Sequence, residues 1–268
     1  MKQVKILLIN LVSSKDRLEE QKKQFNQLGL KFELFPATSI HDFSEEQYLD
    51  LAFNGQRPLK QSELACFLSH KRAWSYVVEQ NEPCVILEDD AVLVSDFSEI
   101  LKQVKSLNTS IDFINLEVHG RRKIVSKQPI YELQSYKLFK LYQDRSGTGG
   151  YILYPEGARK LLSFLNQRAI GLADEFIYNC HALNAYQIEP AAVLQSDKCP
   201  MYKVETDIDM GSVIGAVKNS VNFQLTRSQK IRFKRNRIAA QLYLGIYYLK
   251  VIFKGVKREI QVDSSNFN

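Results

Sequence analysis

Residues Cys84–Asp90 read CVILEDD, a bulky apolar run that stops in three adjacent carboxylates, Glu88, Asp89 and Asp90. Like charges in contact repel, so folding alone gives no reason to gather three of them. A divalent cation supplies one, because Mg²⁺ and Mn²⁺ take carboxylate and water oxygens. Pro83 and the apolar run after it predict a short buried strand. Ligands of α/β sheets collect at the carboxyl ends of strands. Two readings follow: a solvated turn that closes the strand, or a metal–diphosphate site.

Other residues invite the same question. At ~100° per residue on a helix, Glu63 and His70 fall within ~20° of each other, on a face that also carries Phe67, Trp74 and Val77. A buried charge or imidazole needs a partner, so they are either a structural pair or part of a ligand cleft. Asn10 and Arg17 flank the first strand–helix turn, and Arg17 is either solvated or set to hold a phosphate or stack on a base. Ser146-Gly147-Thr148-Gly149-Gly150 is a plain turn or a place where backbone approaches a ligand closely. Asp174 and Glu175 open a predicted helix, where the dipole favours carboxylates; one of them is also a candidate general base for a hydroxyl nucleophile. HExxH, GxSxG, GxGxxG and the phosphate-loop pattern are absent. His41, His119 and His181 read as isolated surface or core residues.

The elements that must position these groups alternate. Strands are expected at Val4–Leu11, Phe32–Phe35, Cys84–Leu87, Asp112–Leu116, Tyr136–Tyr142 and Tyr151–Tyr154. Helices are expected from Ser13-x-x-Asp16 to Gly29, over Ser44–Phe53 and Gln61–Gln80, near Ser95–Leu107, from Pro155, and over Leu172–Leu183. Arg121-Arg122-Lys123 reads as a basic loop. This pattern predicts an α/β layer fold with a mainly parallel sheet.

The chain has 268 residues and a formal net charge of +6, which suits one large domain or one domain with an appendage. No apolar stretch reaches the ~20 residues of a membrane span. Met1-Lys2-Gln3 leads into an apolar run too short for a leader, and four scattered cysteines fit reduced thiols in the cytoplasm. The charge is unevenly placed. Residues 227–258 hold ten of the 36 Lys and Arg and no acid, which leaves 26 bases against 28 acids before residue 227. The expected division is a body over 1–226 and a basic amphipathic tail over 227–268. The same stretch carries Ile231, Phe233, Ile238, Leu242, Ile246, Leu249 and Phe253. The preferred reading is a helix lying on an anionic membrane surface, ahead of a helix packed on the body. Nucleic acid is not expected, since the apolar residues are aliphatic and clustered rather than interleaved stacking platforms.

Taken together these residues resemble glycosyltransferase family 25, of the bacterial lipooligosaccharide galactosyltransferase type. The resemblance runs from Ile6 to about Asp197. It rests on Ile9-Asn10-Leu11 with Arg17, on Ser62-Glu63-Leu64-Ala65-Cys66-Phe67-Leu68-Ser69-His70, on Ile86-Leu87-Glu88-Asp89-Asp90-Ala91, on Gly149-Gly150-Tyr151, and on the Asp174 segment. Leu64-Ala65-Cys66 stands where the family usually has Ile-Gly-Cys. The resemblance implies a GT-A-like fold and an inverting transfer from a UDP-hexose, UDP-galactose before UDP-glucose. It implies that Glu88 and Asp90 hold Mn²⁺ or Mg²⁺ as the outer carboxylates of a DxD-type motif around Asp89. Asn10 and Arg17 would lie near the nucleotide, with Glu63 and His70 lining the site and Gly149 and Gly150 near the donor sugar. Asp174 would be the base, with Glu175 second. A lipid-linked oligosaccharide acceptor on the cytoplasmic face of the inner membrane would fit the basic tail. The competing readings are a non-catalytic membrane-associated carbohydrate or nucleotide binder, and a metal-dependent phosphoryl-transfer enzyme.

Overall fold

The computed structural model describes residues 4–107, 110–144, 147–206 and 224–267. Strand β1 (Lys5–Asn10) lies between β2 (Glu33–Pro36) and β3 (Cys84–Glu88), and both pairings are parallel. Successive side chains of a strand point to opposite faces, so Ile6 and Leu8 enter one apolar layer and Leu7 and Ile9 the other. Val85 and Leu87 of β3 join the first layer, Cys84 and Ile86 the second. Continuous apolar runs are what a sheet buried on both faces requires. Helices α1 (Lys15–Gln27) and α4 (Phe97–Ser106) cover the first face, through Phe25, Phe97 and Ile100. Helices α3 (Gln61–Gln80), α5 (Pro155–Phe164) and α6 (Ala173–Asn179) cover the second, through Phe67, Trp74, Leu161 and Phe176. Helix α2 (Glu45–Ala52) starts at Ser44 in a capping box with Gln47 and packs Tyr48 into a smaller third cluster.

Beyond β3 the sheet continues through β9 (Gly150–Leu153), β5 (Phe113–Asn115), β10 (Ala185–Glu189), β8 (Lys137–Gln143), β6 (Lys123–Ser126) and β12 (Gly255–Arg258), with β7 (Tyr131–Glu132) also on β8. Strands β1, β2, β3, β5, β6, β7 and β10 run one way; β8, β9 and β12 run against them. The sheet is therefore mixed and mostly of one direction, as the sequence predicts. A second sheet pairs β4 (Ala91–Leu93) with β11 (Val193–Gln195) immediately after the acidic trio.

Three expectations are corrected. Lys123 is not part of a basic loop: it begins β6 and is fully buried, because Asp144 and Gln187 supply its partners. The helix expected over Leu172–Leu183 ends at Asn179. The division expected between a body over 1–226 and a tail over 227–268 does not hold for the last residues. Thr226 caps α7 (Arg227–Val251), but β12 then pairs with β6, and Phe267 is buried in the main core. Residues 255–267 thus belong to the body, because an edge strand and an aromatic anchor both need it. The inner face of α7 is docked as well. Phe233 joins the cluster of Tyr48, Phe53 and Leu64, and His181 stacks on Tyr247 at 3.4 Å. No described helix is long and apolar enough to cross a membrane.

Candidate active site

The carboxyl ends of β1 and β3 lie side by side, Ile9 opposite Glu88. Strand β9 starts at the same edge, with Gly150 opposite Leu87, and the Glu88 backbone N–H donates to the Gly149 carbonyl at 3.0 Å. The acidic trio sits at this edge, and its three members meet different partners. Glu88 Oε1 accepts from the Thr148 hydroxyl at 2.6 Å and lies 3.3 Å from His70 Nε2. His70 Nδ1 in turn meets the Tyr151 hydroxyl, to which Trp74 Nε1 donates. Asp89 accepts from Arg17 at 2.7 Å and from Asn10 at 2.8 Å. Asp90 Oδ1 is buried and has no hydrogen-bond partner among the described residues.

These partners set the proton affinities. Burial works against the Glu88 carboxylate, yet the hydrogen bonds from His70 and Thr148 outweigh it and hold its pKa below the ordinary range. Burial pushes Asp89 up in spite of Arg17 and Asn10. Burial, then the charges of Glu88 and Asp89, push Asp90 up to about 7. A carboxylate so strained, with an orphaned oxygen, fits a hard cation that the chain alone does not provide.

The trio borders a cleft of about 890 Å³. Arg17, Cys66, Ser69 and His70 line it, with the 38–42 loop on one side and Gln195, Asp197 and Lys198 on the other. Arg17 is neither solvated nor free to leave, since it is buried and ion-paired to Asp89. Asn10 sits behind it, held to Asp89 and to the Ser14 carbonyl. His41 and His119 also line the cleft, correcting their reading as isolated residues. Neither has a sequence neighbour that marks it: His41 arrives on the loop after β2, and His119 on the segment after β5.

Behind the Gly-rich loop lies a second polar cluster that sequence reasoning missed. Glu117 is fully buried; its Oε1 accepts from the Gly149 N–H at 3.0 Å and its Oε2 has no partner among the described residues. Burial, then the Glu88 charge, raise its pKa well above the ordinary range. A Cβ on Gly147 would sit 2.6 Å from Glu117 Oε1, and one on Gly149 2.8 Å from Oε2, so the loop needs glycine because Glu117 fills that space. Lys123 Nζ meets Asp144 at 2.7 Å and the Glu117 carbonyl at 2.9 Å. A signal was present: Phe113-Ile114-Asn115-Leu116-Glu117 ends an apolar strand in a carboxylate, as Cys84–Glu88 does. Ser146 lies outside the described residues.

The remaining candidates separate. Glu63 turns away from His70 to form a two-point ion pair with Arg57, at 2.7 and 2.8 Å, and caps α3 through the Lys60 N–H. It is absent from the lining of the cleft. Asp174 is near enough to the trio for the Glu88 charge to add to burial in raising its pKa. Glu175 faces elsewhere: it accepts from Gln56 and lines a separate pocket of about 300 Å³ with Tyr243 of α7.

Known proteins were compared with this chain. The model of "Glycosyltransferase family 25 (LPS biosynthesis protein)" matches residues 3–177. Lipooligosaccharide biosynthesis protein lic2B of Haemophilus influenzae is 23% identical over 201 residues, 70% of this chain and 74% of that protein. The lacto-N-neotetraose biosynthesis glycosyltransferase LgtE of Neisseria meningitidis is 26% identical over 211 residues, covering 70% and 72%. Procollagen galactosyltransferase 1-B of Xenopus laevis is 27% identical over 199 residues, 68% of this chain but 32% of that protein. The chain spans about a third of the length of this and the other animal relatives it matches. Among solved structures, Drosophila beta-1,4-galactosyltransferase 7, crystallised with manganese, UDP-Gal and xylobiose, covers 83% of this chain and 82% of its own at 10% identity and a TM-score of 0.39. The match over residues 3–177 shows that the chain belongs to glycosyltransferase family 25.

Proposed function

We propose that this chain is an inverting, metal-dependent hexosyltransferase that uses a UDP-sugar, UDP-galactose first, to extend a lipid-linked lipooligosaccharide or lipopolysaccharide core. The observation that carries the reading is Asp90: a buried carboxylate at the tip of β3, with one oxygen unpartnered and its pKa pushed up to about 7, on the wall of the cleft. Glu88 and Asp90 would hold Mn²⁺ or Mg²⁺, which when bound offsets negative charge on a diphosphate leaving group. Asp89 serves differently, bracing Arg17 and Asn10 so that the guanidinium stays at the cleft wall. Thr148 and His70 fix the Glu88 carboxylate. The Gly149-Gly150 backbone anchors the edge of the sheet behind it.

An inverting transfer also needs a base to take the acceptor hydroxyl proton as that oxygen attacks the anomeric carbon. Asp174 suits this better than Glu175. Burial raises the pKa of both carboxyls, but the Glu88 charge adds to it at Asp174, whereas Glu175 lines the other pocket. Galactose as donor sugar is supported by a distant relative, a procollagen galactosyltransferase.

The membrane part of the reading rests on the outer face of α7. Ile231, Ile238, Leu242, Ile246 and Leu249 are all exposed and fall within ~80° of one another at ~100° per residue. Exposed Lys234, Arg235 and Lys250 accompany them. An apolar stripe with cations beside it suits the interface of an anionic leaflet, each cation adding about 1 kcal/mol. This would hold the enzyme peripherally, on the cytoplasmic face of the inner membrane.

The test is a panel of UDP-sugars with purified protein, scored by UDP release with and without Mn²⁺. Mn²⁺-dependent release from UDP-galactose is expected. Binding without turnover on any donor would leave a nucleotide or carbohydrate binder, and release of inorganic phosphate would point to phosphoryl transfer. For the surface, a Leu242→Asp/Ile246→Asp variant should sediment less with anionic vesicles than the parent. Equal sedimentation would remove the membrane from the proposal.

A further inference from the structure

The wall of the cleft carries a second donor set whose chemistry differs from that of the acidic trio. Cys66 and His70 stand four residues apart on α3, so their side chains leave the same face one turn apart. Glu88 meets them from the tip of β3. One ligand atom from each, a sulfur, a nitrogen and an oxygen, lie within 4.8 Å of one another, and His70 Nε2 is 3.3 Å from Glu88 Oε1. A tetrahedral zinc ion with arms of ~2.0–2.3 Å has ligand–ligand edges of about 3.3–3.8 Å. The three atoms are therefore within a small side-chain adjustment of such a shell. We infer that Cys66, His70 and Glu88 form a binding site for a borderline divalent ion such as Zn²⁺, overlapping the Glu88–Asp90 pair at Glu88.

Three observations support this. The cysteine is a free thiol on the cleft wall, so an ion has a path to it. The imidazole is fully buried and already has an outer partner: the Tyr151 hydroxyl oxygen sits 2.9 Å from Nδ1, pinned by Trp74. Ligating histidines use such a partner to fix the tautomer that leaves the other nitrogen free for metal. The donor set itself selects the ion, since thiolate and imidazole favour zinc over magnesium or manganese. The thiol proton, and the Nε2 proton that His70 shares with Glu88 in the metal-free protein, are released to solvent when the Sγ–metal and Nε2–metal bonds form. A consequence, resting on the hexosyltransferase reading, is that zinc withdraws Glu88 from Mn²⁺ and inhibits transfer; the binding itself does not depend on that reading.

Metal-stripped full-length protein should be titrated with Co²⁺ and with Zn²⁺, the latter against a chromophoric chelator. One ion per chain and a thiolate-to-cobalt charge-transfer band are expected. Cys66→Ser should abolish the band and weaken zinc at least ~10-fold, while Asp90→Asn keeps the band and loses Mn²⁺ affinity, read by the electron paramagnetic resonance of free manganese. X-ray absorption of the zinc-loaded wild-type protein, which needs no variant to fold, should give one sulfur with nitrogen and oxygen neighbours. An all-oxygen shell, a missing band at saturating cobalt, or equal zinc affinity in Cys66→Ser overturns the site. Loss of Mn²⁺ dependence with the band retained would count against the hexosyltransferase reading alone.

Discussion

At the tip of β3, Glu88, Asp89 and Asp90 share one paired guanidinium, that of Arg17, and Asp90 keeps an oxygen with no partner among the described residues. Behind the Gly-rich loop, Glu117 and Asp144 have the Lys123 ammonium, which bonds the Asp144 carboxylate and the Glu117 carbonyl. Both clusters bury carboxylates at neighbouring edges of one sheet. In the inner cluster Lys123 pairs with Asp144, while the buried Glu117 carboxylate keeps one oxygen without a partner among the described residues; the trio borders a cleft and has one guanidinium for three carboxylates. On the proposed function, the difference separates a cluster that holds the fold together from one that an external cation would complete. Desolvated charges are tolerated only with a partner; a carboxylate that the chain does not pair holds its proton more tightly, as Asp90 and Glu117 do, unless a ligand supplies the opposite charge.

The largest effect expected from this contrast is on stability. Lys123→Met removes the internal counter-charge and leaves Asp144 buried without it. Breaking a buried pair in this way costs roughly 3–5 kcal/mol. Urea unfolding should show that loss, and a change below about 1 kcal/mol would mean that Lys123 is not what stabilises the inner cluster.

The mirror-image substitution should reverse the pattern. Asp90→Asn should cut transfer on the order of 10²–10³-fold, the scale expected when several kcal/mol of charge stabilisation is lost. The melting temperature should hold or rise, because a carboxylate held against burial and two like charges is gone. Retained turnover would collapse the distinction between the clusters. Gly149→Ala probes their contact, since its Cβ would sit 2.7 Å from Gln195 Cγ and 2.8 Å from Glu117 Oε2. Overpacking of this kind costs about 1–3 kcal/mol. Thermal melts that match the parent would show that Glu117 yields.

The two clusters were not equally legible. The trio is marked within seven residues by an apolar run and a charge step, and the sequence alone places it at a strand end. The inner cluster is assembled from Asn115, Glu117, Lys123, Asp144 and Gln187, and only the fold brings them together. Lys123 follows two arginines, so its burial has no local signature; a lysine enters a core only when distant groups receive it. Strand β12 was hidden for a similar reason, since its short sequence reads as the end of a basic stretch until β6 lies beside it. Helix α7 is apolar both where it docks through Phe233 and where Leu242 and Leu249 face solvent. Two stripes on opposite faces blur the period that would have distinguished a docked helix from an interfacial one. Glu63 misled because a capping carboxylate at the start of a helix shares its phase with the buried face one turn on.

The smallest predicted effect is the one that tests the contrast with the least disturbance to the molecule. Asp90 binds its proton more tightly in the folded chain, where its pKa is about 7, than in the unfolded chain, where it titrates near its ordinary 3.8. Between those values the native state holds more protons than the unfolded one, so stability falls as pH rises. Below about pH 4 the contribution is fully present, and above about pH 7 it is gone. Other buried carboxylates also make stability depend on pH, Glu88 with the opposite sign and Glu117 with the same one. The informative quantity is therefore the melting temperature of the parent minus that of Asp90→Asn, in metal-free buffer from pH 5 to 8. That difference should move by several degrees against the parent as pH rises, and Mn²⁺ should restore it at pH 8 in the parent and not in the variant. A difference independent of pH would mean that Asp90 ionises without strain, and then the tip of β3 would be no more in need of a cation than the cluster that Lys123 already serves.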